Sequence, residues 1–175
     1  SATQDVTVEI KNVIEQYTLD TNDLAAGGVF AGEALDDFMD GRGATESLDL
    51  SGGAGIDILY GGNADDVIDG GLGNDQLSGG LGNDLLIAGG GANRVDGGDG
   101  IDTLVLATGP EDIRVLDLSK EWNYSGEGWN QILNVENFVL GDGVDIARAD
   151  DSSNTIAAGA GNDWIHGNGG DDVLL

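Results

Sequence analysis

Residues 52–105 read GGAGIDILY, GGNADDVID, GGLGNDQLS, GGLGNDLLI, AGGGANRVD and GGDGIDTLV, six blocks of nine without insertion or deletion. The eighth position holds Leu59, Ile68, Leu77, Leu86, Val95 and Leu104; the sixth holds Asp57, Asp66, Asp75, Asp84, Asn93 and Asp102. A fixed short period marks a repeat architecture in which each unit buries its apolar side chain only by stacking on its neighbours. The first six positions make a turn, where glycine supplies backbone angles that other residues avoid. The last three make a short strand with one inward side chain. Such a chain is all-β.

Outward from this run the pattern weakens. Residues 149–175 read ADDSSNTIA, AGAGNDWIH and GNGGDDVLL, with Asn154, Asp163 and Asp172 at position six and Ile156, Ile165 and Leu174 at position eight. Gly32 to Asp40 (GEALDDFMD) is a degenerate copy, out of phase by two residues, with Asp37 and Met39 in the matching places. Further upstream Val6, Val8 and Ile10 alternate as in a strand. Residues 106–148 change composition, with Trp122, Tyr124 and Trp129 among short apolar stretches separated by Gly126, Gly128, Gly141 and Gly143. The expected organisation is therefore a flanking β segment (1–51), a first repeat block (52–105), a β-rich insert (106–148) and a truncated second block (149–175). The chain stops at a repeat boundary, whereas solenoids need polar terminal caps. The expectation is a fragment of a longer protein.

Composition excludes several functions. With 33 acidic and 6 basic residues the net charge is −27, which argues against nucleic acid or an anionic membrane as partner, since both are bound through Lys and Arg. No cysteine is present, so disulfides, thiolate catalysis and Cys-type zinc sites are impossible, and the single His166 rules out a two-histidine metal centre. No apolar run reaches membrane-spanning length and no signal-peptide pattern opens the chain. Asp outnumbers Glu by 25 to 8, and Asp favours turns, where its short carboxylate bonds nearby backbone or holds a metal ion.

The nonapeptide GGxGxDxUx, U being a large aliphatic, resembles the repeat of the RTX (repeat-in-toxin, hemolysin-type) family, strongly over 52–105 and moderately over 149–175. The resemblance implies a right-handed parallel β-roll (β-solenoid) in which two nonapeptides complete one coil, so that repeat i lies beneath repeat i+2. Strands then stack about 4.8 Å apart, and two position-six carboxylates about 5 Å apart repel by roughly 3 kcal/mol at an effective dielectric near 20. One buried Leu or Ile per repeat contributes about 1.5–3 kcal/mol, too little to offset the ordering of nine residues at about 1–2 kcal/mol each. A hard cation reverses the repulsion. Ca²⁺ fits best, accepting 6–8 oxygens in flexible geometry, whereas Mg²⁺ demands an octahedron and keeps its waters.

From the resemblance, each ion is expected to take the carbonyls of positions one and three and the Asp of one turn, with the carbonyls of positions two and four and the Asp of the turn two repeats on. The best-matched site joins Gly61, Asn63 and Asp66 to Gly80, Gly82 and Asp84. Others join Gly52, Ala54 and Asp57 to Gly71, Gly73 and Asp75; Gly79, Leu81 and Asp84 to Gly98, Gly100 and Asp102; and Gly70, Leu72 and Asp75 to Gly89, Gly91 and Asn93. In the last, Asn93 replaces Asp, Ala88 replaces the leading Gly and Arg94 adds a positive charge. Ala64, where the family has its third Gly, is expected to strain the second turn. In the terminal run Asn154 pairs with Asp172, while Asp163 is expected to need a repeat beyond the chain.

The resemblance further implies a calcium-responsive folding module of a large secreted bacterial protein, toxin or adhesin. It would leave through a type I secretion channel, unfolded at low cytosolic calcium, and fold outside the cell or at its surface against neighbouring repeats of the parent chain. No catalytic role is expected, since HExxH cannot be built from one histidine and no GxSxG occurs. The alternatives are an adhesive or glycan-binding module using Trp122, Tyr124 and Trp129, whose plainer role is packing, or the non-catalytic C-terminal part of a secreted enzyme. An EF-hand loop is absent, and positions seven and nine carry no Thr ladder of the ice-binding kind. His166 is read as surface.

Overall fold

A computed structural model describes residues 7–9, 27–106, 115–120, 122–124 and 128–175. In chain order its strands are β1 Thr7–Glu9, β2 Gly28–Ala31, β3 Phe38–Asp40, β4 Leu48–Ser51, β5 Ile58–Tyr60, β6 Val67–Asp69, β7 Gln76–Leu81, β8 Leu85–Ile87 and β9 Arg94–Asp99. There follow β10 Thr103–Val105, β11 Val115–Asp117, β12 Trp122–Tyr124, β13 Trp129–Leu133, β14 Asn137–Val139, β15 Ile146–Arg148, β16 Thr155–Ala157, β17 Trp164–His166 and β18 Val173–Leu174. Every described element is a strand, and from β2 to β10 and again from β13 to β18 successive strands alternate between two sheets as a β-roll requires.

The first sheet runs β1-β2-β4-β6-β8-β10-β14-β16-β18, all parallel. The second runs β3-β5-β7-β9-β13-β12-β11-β15-β17. Leu59 pairs with Leu77 and Ile68 with Leu86, each two nonapeptides apart. Position eight thus forms an inward column on each sheet: Phe30, Leu50, Ile68, Leu86, Leu104, Phe138 and Ile156 on one, and Met39, Leu59, Leu77, Val95, Leu116 and Ala147 on the other, all buried. Position one also turns inward: Ala88, Leu106, Leu140, Ala149 and Ala158 are buried in that place, a second core column that the repeat spelling hides because glycine usually fills it.

Around 106–148 the structure departs from a simple insert. Residues 137–148, grouped by their composition with the insert, supply β14 and β15, which stand in both ladders at the spacing of the flanking repeats: Phe138 pairs with Ile156, and Ala147 with Ile165. Between β2 and β18 only β11, β12 and β13 break the rule. They form an antiparallel meander within the second sheet, with β13 on β9 and β11 on β15, while β10 pairs directly with β14 in the first. Three strands stand where the roll needs one. Between β9 and β15 the second sheet therefore carries two strands more than the first does between β10 and β14, about 10 Å of extra width, and beside this stretch lies a cavity of about 230 Å³ lined by Leu118, Ile132, Asn134, Glu136, Asp150 and Asn154 among others. Side chains of Trp122, Tyr124 and Trp129, with Val6, Ile10 and Pro110, lie outside the described residues.

The degenerate copy stacks as well. Met39 pairs with Leu59 across twenty residues instead of eighteen, and the two extra residues sit in the connection between β3 and β4, which accounts for the phase offset.

Candidate metal centre

The turns stack along two edges, and position six of each points into the roll. Along one edge the N–H of Asp37 donates to Asp57 Oδ1 (2.7 Å), that of Asp57 to Asp75 Oδ1 (2.9 Å) and that of Asp75 to Asn93 Oδ1 (2.7 Å). Along the other, Leu48 donates to Asp66 Oδ1 (2.7 Å), Asp66 to Asp84 Oδ1 (2.8 Å), Asp84 to Asp102 Oδ1 (2.8 Å) and Asp102 to Glu136 Oε2 (2.9 Å). One oxygen of each carboxylate is thus committed to the backbone of the coil below.

The other oxygen is not. Oδ2 of Asp57, Asp75, Asp84 and Asp102 is buried without a hydrogen-bond partner, a costly state for an ionised group. Burial raises the pKa of all four, with backbone hydrogen bonds opposing and neighbouring carboxylates adding to the rise; Asp57 is pushed up to about 6 and Asp84 to about 7. Asp37 and Asp66 are raised by burial too.

Backbone oxygens converge on the same places. A methyl built on Gly70 would lie 2.8 Å from Asp75 Oδ2 and 3.0 Å from the Ala88 carbonyl of the turn above, and one on Gly79 would strike both Asp84 Oδ2 and the Gly97 carbonyl. Gly52, Gly61 and Gly97 show the same pairing of a carboxylate with a carbonyl. Position one is therefore glycine for space; positions two and four are glycine for backbone sign, as at Gly71 (φ +82°) and Gly73 (φ +146°). Gly79→Ala should abolish cooperative folding in calcium as followed by far-UV circular dichroism; a transition indistinguishable from wild type would contradict this packing.

Among the described residues no three carboxylate, thiolate or imidazole side chains converge, so any ion here must complete its shell with carbonyls. The donor set is then entirely hard oxygen. That set, with unsatisfied anionic oxygens beside it, suits Ca²⁺ and not the softer metals that prefer nitrogen or sulfur. A model of the RTX calcium-binding nonapeptide repeat matches four copies, over residues 49–77, 73–104 and 140–174, just over half of the chain. The chain belongs to the RTX calcium-binding repeat family. No curated protein matches it. RTX repeats bind Ca²⁺, and the roll's orphaned carboxylate oxygens are where this chain would hold it.

The expected pairs are brought together: Asp57 with Asp75, Asp66 with Asp84, Asp75 with Asn93, Asp84 with Asp102, and Asn154, whose N–H donates to Asp172 Oδ1 (3.0 Å). Three details differ from expectation. Turn 61–66 takes another shape: neither Gly62 nor Ala64 has positive φ, and the Gly62 N–H bonds Asp66 Oδ2 (2.5 Å). Ala64 avoids strain, since the turn refolds and spends the carboxylate of the pair that matched best by spelling. Position-two carbonyls also carry ladder bonds, Gly53 from Leu72 (2.7 Å) and Gly71 from Gly90 (2.8 Å), leaving one lone pair each. Finally, Asp163 needs no later repeat, because its Oδ1 accepts the N–H of buried Asp145 (3.0 Å).

Asp145 and Glu136 are the site residues that spelling missed. Residues 140–148 read LGDGVDIAR, with Gly at two and four and Asp at six, but Leu140 and Ala147 break positions one and eight. Glu136 ends a turn shortened to residues 134–136, between Leu133 and Asn137. Its longer side chain reaches the Asp102 N–H across the missing residues.

Proposed function

We propose that this RTX module is a calcium-driven folding switch of an exported protein: disordered where calcium is scarce, folded where it is abundant. The observation that carries the reading is the four buried Oδ2 atoms, of Asp57 and Asp75 on one edge and of Asp84 and Asp102 on the other, left without partners. Without a cation the roll must bury their charge or protonate them; bound Ca²⁺ neutralises them and accepts turn carbonyls in the same shell. Asp57, Asp75, Asp84 and Asp102 act as carboxylate ligands, with carbonyls from residues 52–54, 70–73, 79–82 and 97–100. Asp145 with Asp163, and Asn154 with Asp172, form the later sites. Asp75 and Asp84 each serve the turn below and the turn above, so occupancy of one site orders the next.

Such a switch suits passage through a narrow type I export channel followed by locking outside, where modules of this kind hold calcium with dissociation constants of about 10⁻⁴–10⁻³ M. Each site filled to 100 times its dissociation constant stabilises the fold by about 2.7 kcal/mol. Within a toxin, adhesin or secreted enzyme the module is a non-catalytic stabilising element. Parallel far-UV titrations with Ca²⁺ and Mg²⁺ test this: a β transition with Ca²⁺ alone is expected, and equal response to Mg²⁺, or none to either, would overturn it.

A further inference from the structure

We propose that Asn93 is a built-in stand-in for a bound cation, so that the rung of residues 88–96 needs no ion of its own once the neighbouring rungs fold, and interrupts the ion column of its edge. The inference rests on reading the position-six column as calcium-binding. Asn93 Nδ2 donates to the carbonyls of Ala88 (2.9 Å) and Gly90 (3.3 Å), while its Oδ1 accepts the Asp75 N–H (2.7 Å). Those carbonyls belong to positions one and three of its own turn. In the aspartate turns the atom in the place of Nδ2 is Oδ2, which in Asp57, Asp75, Asp84 and Asp102 has no partner.

The amide orientation follows from the network: reversed, Oδ1 would face two carbonyl oxygens and Nδ2 would face an N–H. Asn93 is 1% exposed, yet both of its polar atoms are satisfied within the roll. Ala88 supports the assignment from another direction. Its buried methyl stands where a methyl on Gly79 would strike a carboxylate oxygen and the carbonyl above. The methyl alone is not decisive, because Ala158 precedes Asp163; the donated hydrogens are.

Not every position-six asparagine does this. Asn154 turns its Nδ2 to the Glu136 carbonyl (3.3 Å) and leaves Oδ1 buried and unpartnered, so it keeps an oxygen for an ion. Above Asn93 lies Asn130, whose Oδ1 accepts the Asn93 N–H (2.9 Å). Two neutral side chains in succession remove the repulsion that elsewhere calls for a cation. This neutral break falls where the meander β11–β13 joins β9, and it separates Asp37, Asp57 and Asp75 from Asp145 and Asp163. Along the opposite edge Asp66, Asp84, Asp102 and Glu136 continue unbroken.

The test counts bound calcium per chain by equilibrium dialysis at saturation, for wild type, Asn93→Asp and Asp84→Asn. We expect one ion more in Asn93→Asp and at least one fewer in Asp84→Asn. An unchanged count in Asn93→Asp that folds normally in calcium would overturn the proposal. Should that variant not fold, hydrogen exchange of the wild type at calcium just above its folding midpoint decides: amides of 88–96 exchanging more slowly than those of 52–60 and 97–105 support it, and equal exchange overturns it. A wild type that binds no calcium at all refutes the underlying calcium reading; a wild type that binds calcium beside an unchanged Asn93→Asp count refutes only the role of Asn93.

Discussion

Asp84→Ala raises the calcium concentration at the folding midpoint several-fold, and Asp163→Ala raises it much less. Asp84 stands mid-column: its Oδ1 accepts the Asp66 N–H, its own N–H donates to Asp102, and its Oδ2 is buried beside Gly79 and the Gly97 carbonyl. Truncation removes an anionic ligand and leaves a buried N–H without its acceptor, which costs about 1–3 kcal/mol. At about 1.4 kcal/mol per decade for each ion taken up, that loss, spread over several cooperatively bound ions, moves the midpoint by a factor of roughly two, before the lost ion is counted. Asp163 lies near the end of the second sheet, partly exposed, with a single stacking partner in Asp145. Calcium titrations followed by circular dichroism measure both midpoints; equal shifts would show that position in the column does not matter.

In chelator, acidification from pH 8 to pH 5 increases β structure; in calcium, the same acidification raises the calcium midpoint. Burial holds the folded-state pKa of Asp57 at about 6 and of Asp84 at about 7, against an ordinary value of 3.8. Asp37, Asp66, Asp75 and Asp102 are raised in the same sense. The metal-free folded chain therefore binds protons more tightly than the unfolded chain, and by linkage its stability falls as pH rises through the folded-state values. That contribution is complete below about pH 4 and lost by about pH 7 to 8. Protons and calcium compete for the same oxygens, so the sign inverts once calcium is present. Asp84→Asn and Asp57→Asn should each flatten the chelator profile. A chelator-state β signal that rises with pH would contradict the burial of these carboxylates.

The repeat fixed most of the architecture in advance because its two decisive positions are chemically loud. Position eight is aliphatic in all six blocks and lines the core; position six is carboxylate in five and lines the edge. What stayed hidden was chemically quiet. Glycine at position one conceals an inward-facing site, visible only where Ala88, Leu106 or Leu140 occupies it. The rung of 140–148 escaped notice because Ala147 is small where the pattern wants bulk, and that of 131–139 because its turn is three residues short. Asn93 could be marked as an exception from spelling, but not the direction of its amide, which depends on the carbonyls of Ala88 and Gly90. Likewise Ala64 gave notice of a perturbed turn without revealing that Gly62 would claim Asp66 Oδ2.

In the proposed switch, ion capture and chain ordering are one event. Small-angle scattering and equilibrium dialysis on the same calcium series test it most directly. The radius of gyration should fall from roughly 44 Å, the scale of an unfolded chain of this length, towards roughly 16 Å, along a curve that superimposes on the number of ions bound. A chain already compact in chelator at neutral pH, taking up calcium later without further contraction, would contradict it.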